Sequence, residues 1–421
     1  MREYDVIVIG GGLAGLMAGA VAAKGGKKVL LLSLGAGTLT IGGGIIDVMG
    51  YTDDGVPVKT PHAGLLQAPP EHPYTKIGLP AIEESIKFFM AVCAEEGYPY
   101  MGSLNEMQWI PTAAGTLKPT CLVPKTMNTD ELNKAEHVVV LGFDALKDFY
   151  PHMMISNFKK ISGFRNKTYE MVMIDPDLAD DRDVTALDVA RWLDTEEGLM
   201  ECIEKMRTVI KPGSVVIIPP VLGTQPNYNV ADRMEKALGC TFVETASVPP
   251  AITGLRLGTM MLRYLKKIGV RIIEQAVVAR AIVEGGQCSA VVTAGIDRER
   301  TYYAKNFILA NGGFYGGGLI AEPGSVVEPI FNLPVAAPSD HELWANPTLF
   351  SNKPQPFAKI GIAVDGKMRP LNEAGHVVIE NVFIAGRNLH GYDFCFEKSG
   401  NGVALASGYQ AAMSVHEEKR S

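Results

Sequence analysis

The chain has 421 residues, 47% of them hydrophobic and 20% charged, which is the balance of a globular protein with a sizeable core. Lysine plus arginine number 39 against 46 aspartates and glutamates, a net charge of −7. That excludes non-specific nucleic-acid binding, which needs a basic footprint, and the hydrophobic content excludes disorder. Cysteines at 93, 121, 202, 240, 288 and 395 form no CxxC pair, so a zinc ribbon or a locally held iron–sulfur cluster is not expected. Scattered cysteines suit a reducing compartment, no metal site is expected, and no signal peptide precedes the first apolar run.

Asp5-Val6-Ile7-Val8-Ile9 predicts a buried parallel strand. Gly10-Gly11-Gly12-Leu13-Ala14-Gly15 follows at once. Leu13, Leu16, Met17 and Ala20 then recur at helical spacing up to Gly25-Gly26, and Val29–Leu32 predicts a second strand. Strand, GxGxxG turn, helix and strand within about 30 residues is the dinucleotide-binding pattern. Gly10 permits the tight turn, Gly12 admits a phosphate to the backbone, and Gly15 lets helix and strand pack closely. The acid expected at the end of the second strand, to hold a ribose, is replaced by Ser33. A hydroxyl cannot give the charged bidentate grip of a carboxylate, so a ligand carrying phosphate alone, such as FMN, stays open beside FAD. In the segment from Thr38 to Asp47, Thr40 and the run Gly42-Gly43-Gly44 could press against a planar ring; a flexible loop is the plainer reading.

From 60 to 245 the texture changes. Pro61, Pro69, Pro70, Pro73 and Pro80 suggest a linker, followed by a helix over 81–96. Strands are expected at 138–142 and 215–218, and helices at 184–193 and 232–238. The acidic run Asp175–Asp183 reads as a solvated helix entry. From 250 onward a helix over 257–268, strands at 270–273 and 277–283, a Gly285-Gly286 hairpin into 289–293, and strands at 301–304 and 307–310 are expected. Asn311-Gly312-Gly313 makes a glycine corner after the last of these. Val382–Ala385 predicts a buried strand ending at Gly386, and a helix opens near Gly400-Asn401-Gly402-Val403, where its N-terminus could face a ring carbonyl. The expected fold is α/β. A Rossmann-like flavin-binding domain of the FAD/NAD(P)-binding type covers 1–60 plus 246–421, and an inserted mixed α/β cap domain covers 61–245.

The strand–GxGxxG–helix at 6–23, the corner Ala310-Asn311-Gly312-Gly313 and the strand–glycine–helix at 382–404 resemble the FAD-dependent oxidoreductase 2 class, which includes fumarate reductase flavoproteins. Gly10–Leu16, Thr253-Gly254-Leu255-Arg256-Leu257, Pro370-Leu371 leading to Asn381-Val382-Phe383, and His390-x-Tyr392-Asp393 before Ser399-Gly400-x-Gly402-Val403-Ala404 are similar to the family of anaerobic glycerol-3-phosphate dehydrogenase B subunits. That resemblance implies oxidation of sn-glycerol 3-phosphate to dihydroxyacetone phosphate, with electrons passed to quinone. It implies an assembly of three chains, in which the partners are a catalytic A subunit, the main dehydrogenase, and an iron–sulfur, membrane-associated C subunit. It implies FMN as the flavin where the GxGxxG turn suggests FAD. The location implied is cytoplasmic, peripheral to the inner face of the membrane through a partner.

Alcohol oxidation needs a base, a hydride acceptor and a phosphate anchor. His390 is the candidate base. Arg256 could fork a phosphate, with a salt bridge at a helix start as the alternative. Arg387 could pair with a flavin or substrate phosphate, or simply face solvent. Asp393 could accept from a ribityl hydroxyl or orient His390, and Glu397 is expected at the surface or behind the site. The candidate flavin contacts are Gly10, Gly12, Leu13, Ala14, Gly15, Ser33, Thr40, Gly42, Gly43, Gly44, Gly312, Gly386, Asp393, Gly400, Asn401, Gly402 and Val403. A non-catalytic flavin scaffold that positions partners for electron transfer remains the alternative function.

Overall fold

The structure is a computed structural model and describes residues 3–144, 146–178, 183–295, 298–348 and 351–417. The chain divides into two compact units, one of Met1–Thr38, Ile46–Val92 and Met261–Ser421, the other of Leu39–Ile45 and Cys93–Met260.

In the first unit, strand β1 (Glu3–Ile9) leads through the glycine turn into helix α1 (Leu13–Lys24) and strand β2 (Val29–Leu32). β1 pairs with β2 on one side and with Arg300–Leu309 on the other, parallel in both cases. Arg271–Ile273 extends the sheet beyond β2, and Val382–Ile384 pairs in parallel with Arg300–Leu309. Gln287–Ala294 and Val277–Glu284 complete the sheet as an antiparallel pair. Val6 to Ile9 and Leu30 to Leu32 are almost wholly buried, which is why these strands read as unbroken apolar runs rather than alternating ones. Each such side chain contributes about 1.5–3 kcal/mol by leaving water. α1 is buried along its first ten residues, Leu13 to Ala22, so it shows an apolar surface all round. The C-terminal helix Gly400–Glu417 crosses it at Gly408, where a Cβ would lie 2.3 Å from the Ala14 carbonyl oxygen.

Parallel strands on both sides of β1 place a topological switch point at the carboxyl ends of β1 and Arg300–Leu309. In open α/β sheets that crevice is where ligands bind. The Gly10–Gly15 turn leaves from one of those ends and Ala310–Gly313 from the other.

The second unit holds four parallel strands in the order Thr241–Glu244, Val215–Ile218, His137–Phe143 and Thr168–Ile174. Helices Pro151–Phe158, Ala186–Leu193, Glu196–Arg207 and Asn229–Leu238 pack with it around a core that includes Val140, Phe158, Ile217 and Met234.

The sequence places the domain changes at 60/61 and 245/246, whereas the compact units change at 38/39, 45/46, 92/93 and 260/261. The proline-rich stretch explains part of the difference. Pro61 and Pro73 occupy first helical turns, where a missing N–H costs nothing, so they start helices Pro61–Leu65 and Pro73–Ile77. Thr60 and His72 cap them through their side chains, and the segment joins the first unit instead of linking two domains. The helix expected at 81–96 likewise starts at Leu79 with Pro80 in its first turn. The two strands expected at 301–304 and 307–310 are one strand, Arg300–Leu309. Within the acidic run 175–183, residues 179–182 lie outside the described residues.

Candidate functional site

The three motif glycines of the turn, Gly10, Gly12 and Gly15, differ in their surroundings. Gly10 has φ +121°, and a Cβ there would lie 2.1 Å from the Ala310 carbonyl oxygen. A Cβ at Gly15 would lie 2.0 Å from the Gly10 carbonyl oxygen. A Cβ at Gly12 meets no protein atom within 4 Å. Two glycines therefore serve the protein's own close packing, and the third faces open space. Gly12 caps α1 with no side-chain hydrogen bond, and the first turn contains no acid. The amides of Leu13 and Ala14 thus open a helix whose N-terminus is positive and uncapped, which fits a phosphate.

Ser33 closes β2 beside this turn. Its hydroxyl donates to the Gly35 carbonyl at 2.7 Å, and a Cβ at Gly11 would lie 2.1 Å from its Oγ. The donor expected for a ribose is thus spent locally, leaving only lone pairs. Across the switch point, Gly312 and Gly313 both have positive φ. The Gly313 amide donates to Asn388 Oδ1 at 2.6 Å, and Asn388 Nδ2 donates to Asn311 Oδ1 at 2.6 Å. This amide pair ties the corner to the turn Gly386–Asn388. Gly386 has φ +74°, and a Cβ there would come within 3.0 Å of Ala14 Cβ. Gly10, Ala14, Gly312 and Gly386 therefore converge at one end of the sheet.

Thr40 and Gly42–Gly44 fall in the second unit. The Thr40 carbonyl accepts from the Ala251 amide, and Thr253 Oγ1 donates to the Gly43 carbonyl at 2.6 Å. Gly44 has φ +65° with its Cβ direction 2.3 Å from the Thr253 carbonyl, and Gly254 faces Leu39 and Gly42 carbonyls just as closely. The run of glycines thus lets a loop lie directly on the start of helix Ile252–Lys267.

Arg256 corrects the expectation of a phosphate anchor. It is 1% exposed, its two terminal nitrogens donate to Glu244 at 2.7 and 2.9 Å, and its Nε donates to the Gly223 carbonyl at 2.8 Å. Glu244 also accepts from Thr126 Oγ1 and the Leu222 amide. This is a sealed bidentate ion pair. Burial alone would lower the Arg256 pKa, but the facing carboxylate holds it above the ordinary arginine value.

Asp393 is a second correction. It is 4% exposed and caps helix Phe394–Glu397, accepting from the Cys395 and Phe396 amides on one oxygen and from the Gln355 amide on the other. Three backbone donors occupy the carboxylate proposed for a ribityl hydroxyl. Glu397 is not a surface residue: it is 2% exposed and sits 2.9 Å from His72 Nε2. Since His72 Nδ1 accepts the Tyr74 amide, its proton is on Nε2 and points at Glu397. Of the C-terminal helix start, Gly402 donates its amide to the Asp47 carbonyl at 2.8 Å and packs against Asp47 and Tyr74. Its N–H is thus unavailable to a ring carbonyl. Val403 is fully buried, while Gly400 and Asn401 are half-buried.

His390 stands four residues beyond Gly386 and lines a cavity of about 530 Å³ in the first unit. Lys359, Asn372 and Glu373 supply its other polar groups, and Val335, Ile360 and Leu371 are among its apolar walls. The ring is half-buried, and Nδ1 is sealed from solvent without a hydrogen-bond partner. Burial lowers the imidazole pKa from 6.5 against the Lys359 backbone and Glu71, which raise it, and the Lys359 and Lys76 charges add to the lowering. A neutral histidine at the wall of a cavity can take a proton. The sequence reveals the histidine but not the cavity, whose walls come from the Pro334–Pro338 and Pro356–Ala363 segments. Among the described residues no cluster of His, Cys, Asp or Glu could hold a metal.

The family described as FAD binding domain matches residues 5–403. The B subunit of anaerobic glycerol-3-phosphate dehydrogenase from Vibrio vulnificus strain CMCP6 is 30% identical over 438 residues, covering 99% of each chain. The protein of that name from Vibrio cholerae strain N16961 is 28% identical, covering 99% of this chain and 97% of its own. Among solved structures, 3-ketosteroid Δ1-dehydrogenase from Sterolibacterium denitrificans is 12% identical with a TM-score of 0.47, covering 99% of this chain and 100% of its own.

Proposed function

We propose, for a chain that belongs to the FAD binding domain family and within it to the anaerobic glycerol-3-phosphate dehydrogenase B subunits, the role of flavoprotein component in an assembly that oxidises sn-glycerol 3-phosphate. The cofactor is FAD, so of the two flavins left open by the sequence the dinucleotide stands. The observation that carries the substrate is the match to the Vibrio vulnificus protein along essentially both whole chains.

In this reading the product is dihydroxyacetone phosphate. A catalytic partner chain completes the dehydrogenase, and an iron–sulfur partner chain receives the electrons and passes them to quinone at the inner face of the membrane. Among the described residues no helix is long and apolar enough to cross a membrane, so attachment would come through a partner. When bound, FAD supplies a two-electron hydride acceptor. The α1 N-terminus, with Gly12, Leu13 and Ala14, would hold its phosphates, and Gly312 and Gly386 would line the same end of the sheet. His390 would take the hydroxyl proton of the substrate on Nε2, since Nδ1 is the ring nitrogen sealed from solvent. The cavity walls would keep water from that proton.

A second reading, a flavin scaffold that does not itself oxidise substrate, is favoured by one observation: the arginine expected to anchor the phosphate is sealed against Glu244. Anaerobic addition of glycerol 3-phosphate to the isolated, FAD-loaded chain separates the two. Bleaching of the yellow absorbance supports oxidation by this chain. No bleaching until a partner chain is added supports the scaffold, and no bleaching in the full assembly sinks the substrate assignment.

A further inference from the structure

Arg387 is half-buried in the turn Gly386–Asn388, with its guanidinium set against two aromatic rings. Its guanidinium carbon is 3.9 Å from the Phe394 ring centroid and 5.8 Å from that of Tyr315. The two rings meet edge to face at 6.1 Å. A cation–π contact uses the face of the guanidinium, while all five N–H groups radiate in its plane. Among the described residues no hydrogen bond or ion pair takes up these donors, so the fork remains available beside the rings. Arg233, Arg256, Arg280 and Arg369 each face a carboxylate. Among the described residues no carboxylate pairs with Arg387. The rings attract the cation, but they accept no in-plane hydrogen bond, so the half-buried N–H groups have given up part of their hydration without an acceptor, which an anion from outside the chain would supply.

The backbone of Arg387 is wedged at the carboxyl end of the sheet. The residue before it meets Ala14 in the first turn of α1, and a Cβ on Gly313 would lie 2.6 Å from the Arg387 carbonyl oxygen. That is the end at which Gly12 leaves open space and α1 begins uncapped. We propose that Arg387 is a phosphate fork: its in-plane N–H groups receive two oxygens of one phosphoryl group, from the FAD pyrophosphate or from a phosphorylated small molecule beside it. The first source rests on the FAD assignment alone, and the second rests on the glycerol 3-phosphate reading. The rings of Phe394 and Tyr315 stand beside the fork, and Arg387 takes the anchoring role that the buried Arg256 cannot.

The test uses the full chain in three forms: unaltered, Arg387→Lys and Arg387→Met. Deflavinated protein is titrated with FAD and with riboflavin, followed by flavin fluorescence. Inorganic phosphate is titrated calorimetrically into the FAD-loaded protein. A cofactor fork predicts that Arg387→Met weakens FAD about tenfold or more and leaves riboflavin unchanged, with Arg387→Lys between, because an ammonium keeps the charge but loses the bidentate geometry. Unchanged FAD affinity with phosphate binding lost in the methionine variant assigns the fork to the second phosphate. FAD and phosphate affinities within twofold of each other in all three proteins overturn the proposal. The lysine variant guards against a folding artefact, since it preserves charge and length.

Discussion

At the residue scale, two side chains of similar promise in the sequence part company in the structure. His390 faces a cavity, and burial with two nearby lysines pushes its pKa below 6.5. A base must be unprotonated to act, so turnover is lost as pH falls through that lowered pKa and is retained above it. The acid limb of the kcat/KM profile is therefore expected below 6.5, and His390→Gln is expected to lower turnover about 10²–10⁴-fold with FAD content unchanged. An acid limb well above 6.5, or a fully active glutamine variant, would remove His390 from the reaction. Arg256 has its donors on Glu244 and Gly223 inside the core. Arg256→Met leaves a buried carboxylate uncompensated, and urea denaturation should show a loss of about 3–5 kcal/mol. A stable variant with a raised KM for a phosphorylated substrate would return Arg256 to the site. A salt bridge at a helix start was the alternative the sequence offered for Arg256, and that alternative is what the structure shows; its partner was not legible, because Glu244 lies on a strand end whose register the sequence does not announce.

At the scale of elements, the glycine turn was fully legible, and its three glycines now make different predictions. Gly10→Ala places a methyl 2.1 Å from the Ala310 carbonyl oxygen at positive φ, and Gly15→Ala drives one to 2.0 Å from the Gly10 carbonyl oxygen. Both are expected to lower the melting temperature by several degrees, equivalent to about 1–3 kcal/mol or more of strain, whether or not FAD is present. Gly12→Ala is expected to leave the apo melting temperature unchanged. Equal destabilisation by all three would contradict the division between packing glycines and a ligand glycine. The strands of the first sheet were readable because both faces are buried and the apolar runs are continuous. The short hairpin strands Tyr100–Gly102 and Gln108–Pro111 were not, since a few residues of mixed polarity carry no period. The prolines near 61–80 misled for a chemical reason: proline breaks a helix from within but starts one from its first turn.

At the scale of the whole chain, the FAD-binding fold and its family were readable from three separated glycine-containing segments that the sheet brings to one end. The cavity around His390 was not, because its walls come from irregular segments whose meeting depends on tertiary packing. The account stands on the claim that the α1 turn holds the phosphates of FAD. The most direct test is to purify Gly12→Val beside the unaltered chain, extract the cofactor and identify it by mass. Gly12 has φ −77° and ψ 176°, a conformation that suits valine, and no protein atom lies within 4 Å of a Cβ there. The expected result is FAD in the unaltered chain and a colourless variant with the same circular dichroism and apo melting temperature. A folded Gly12→Val protein that retains stoichiometric FAD would contradict the assignment of the turn.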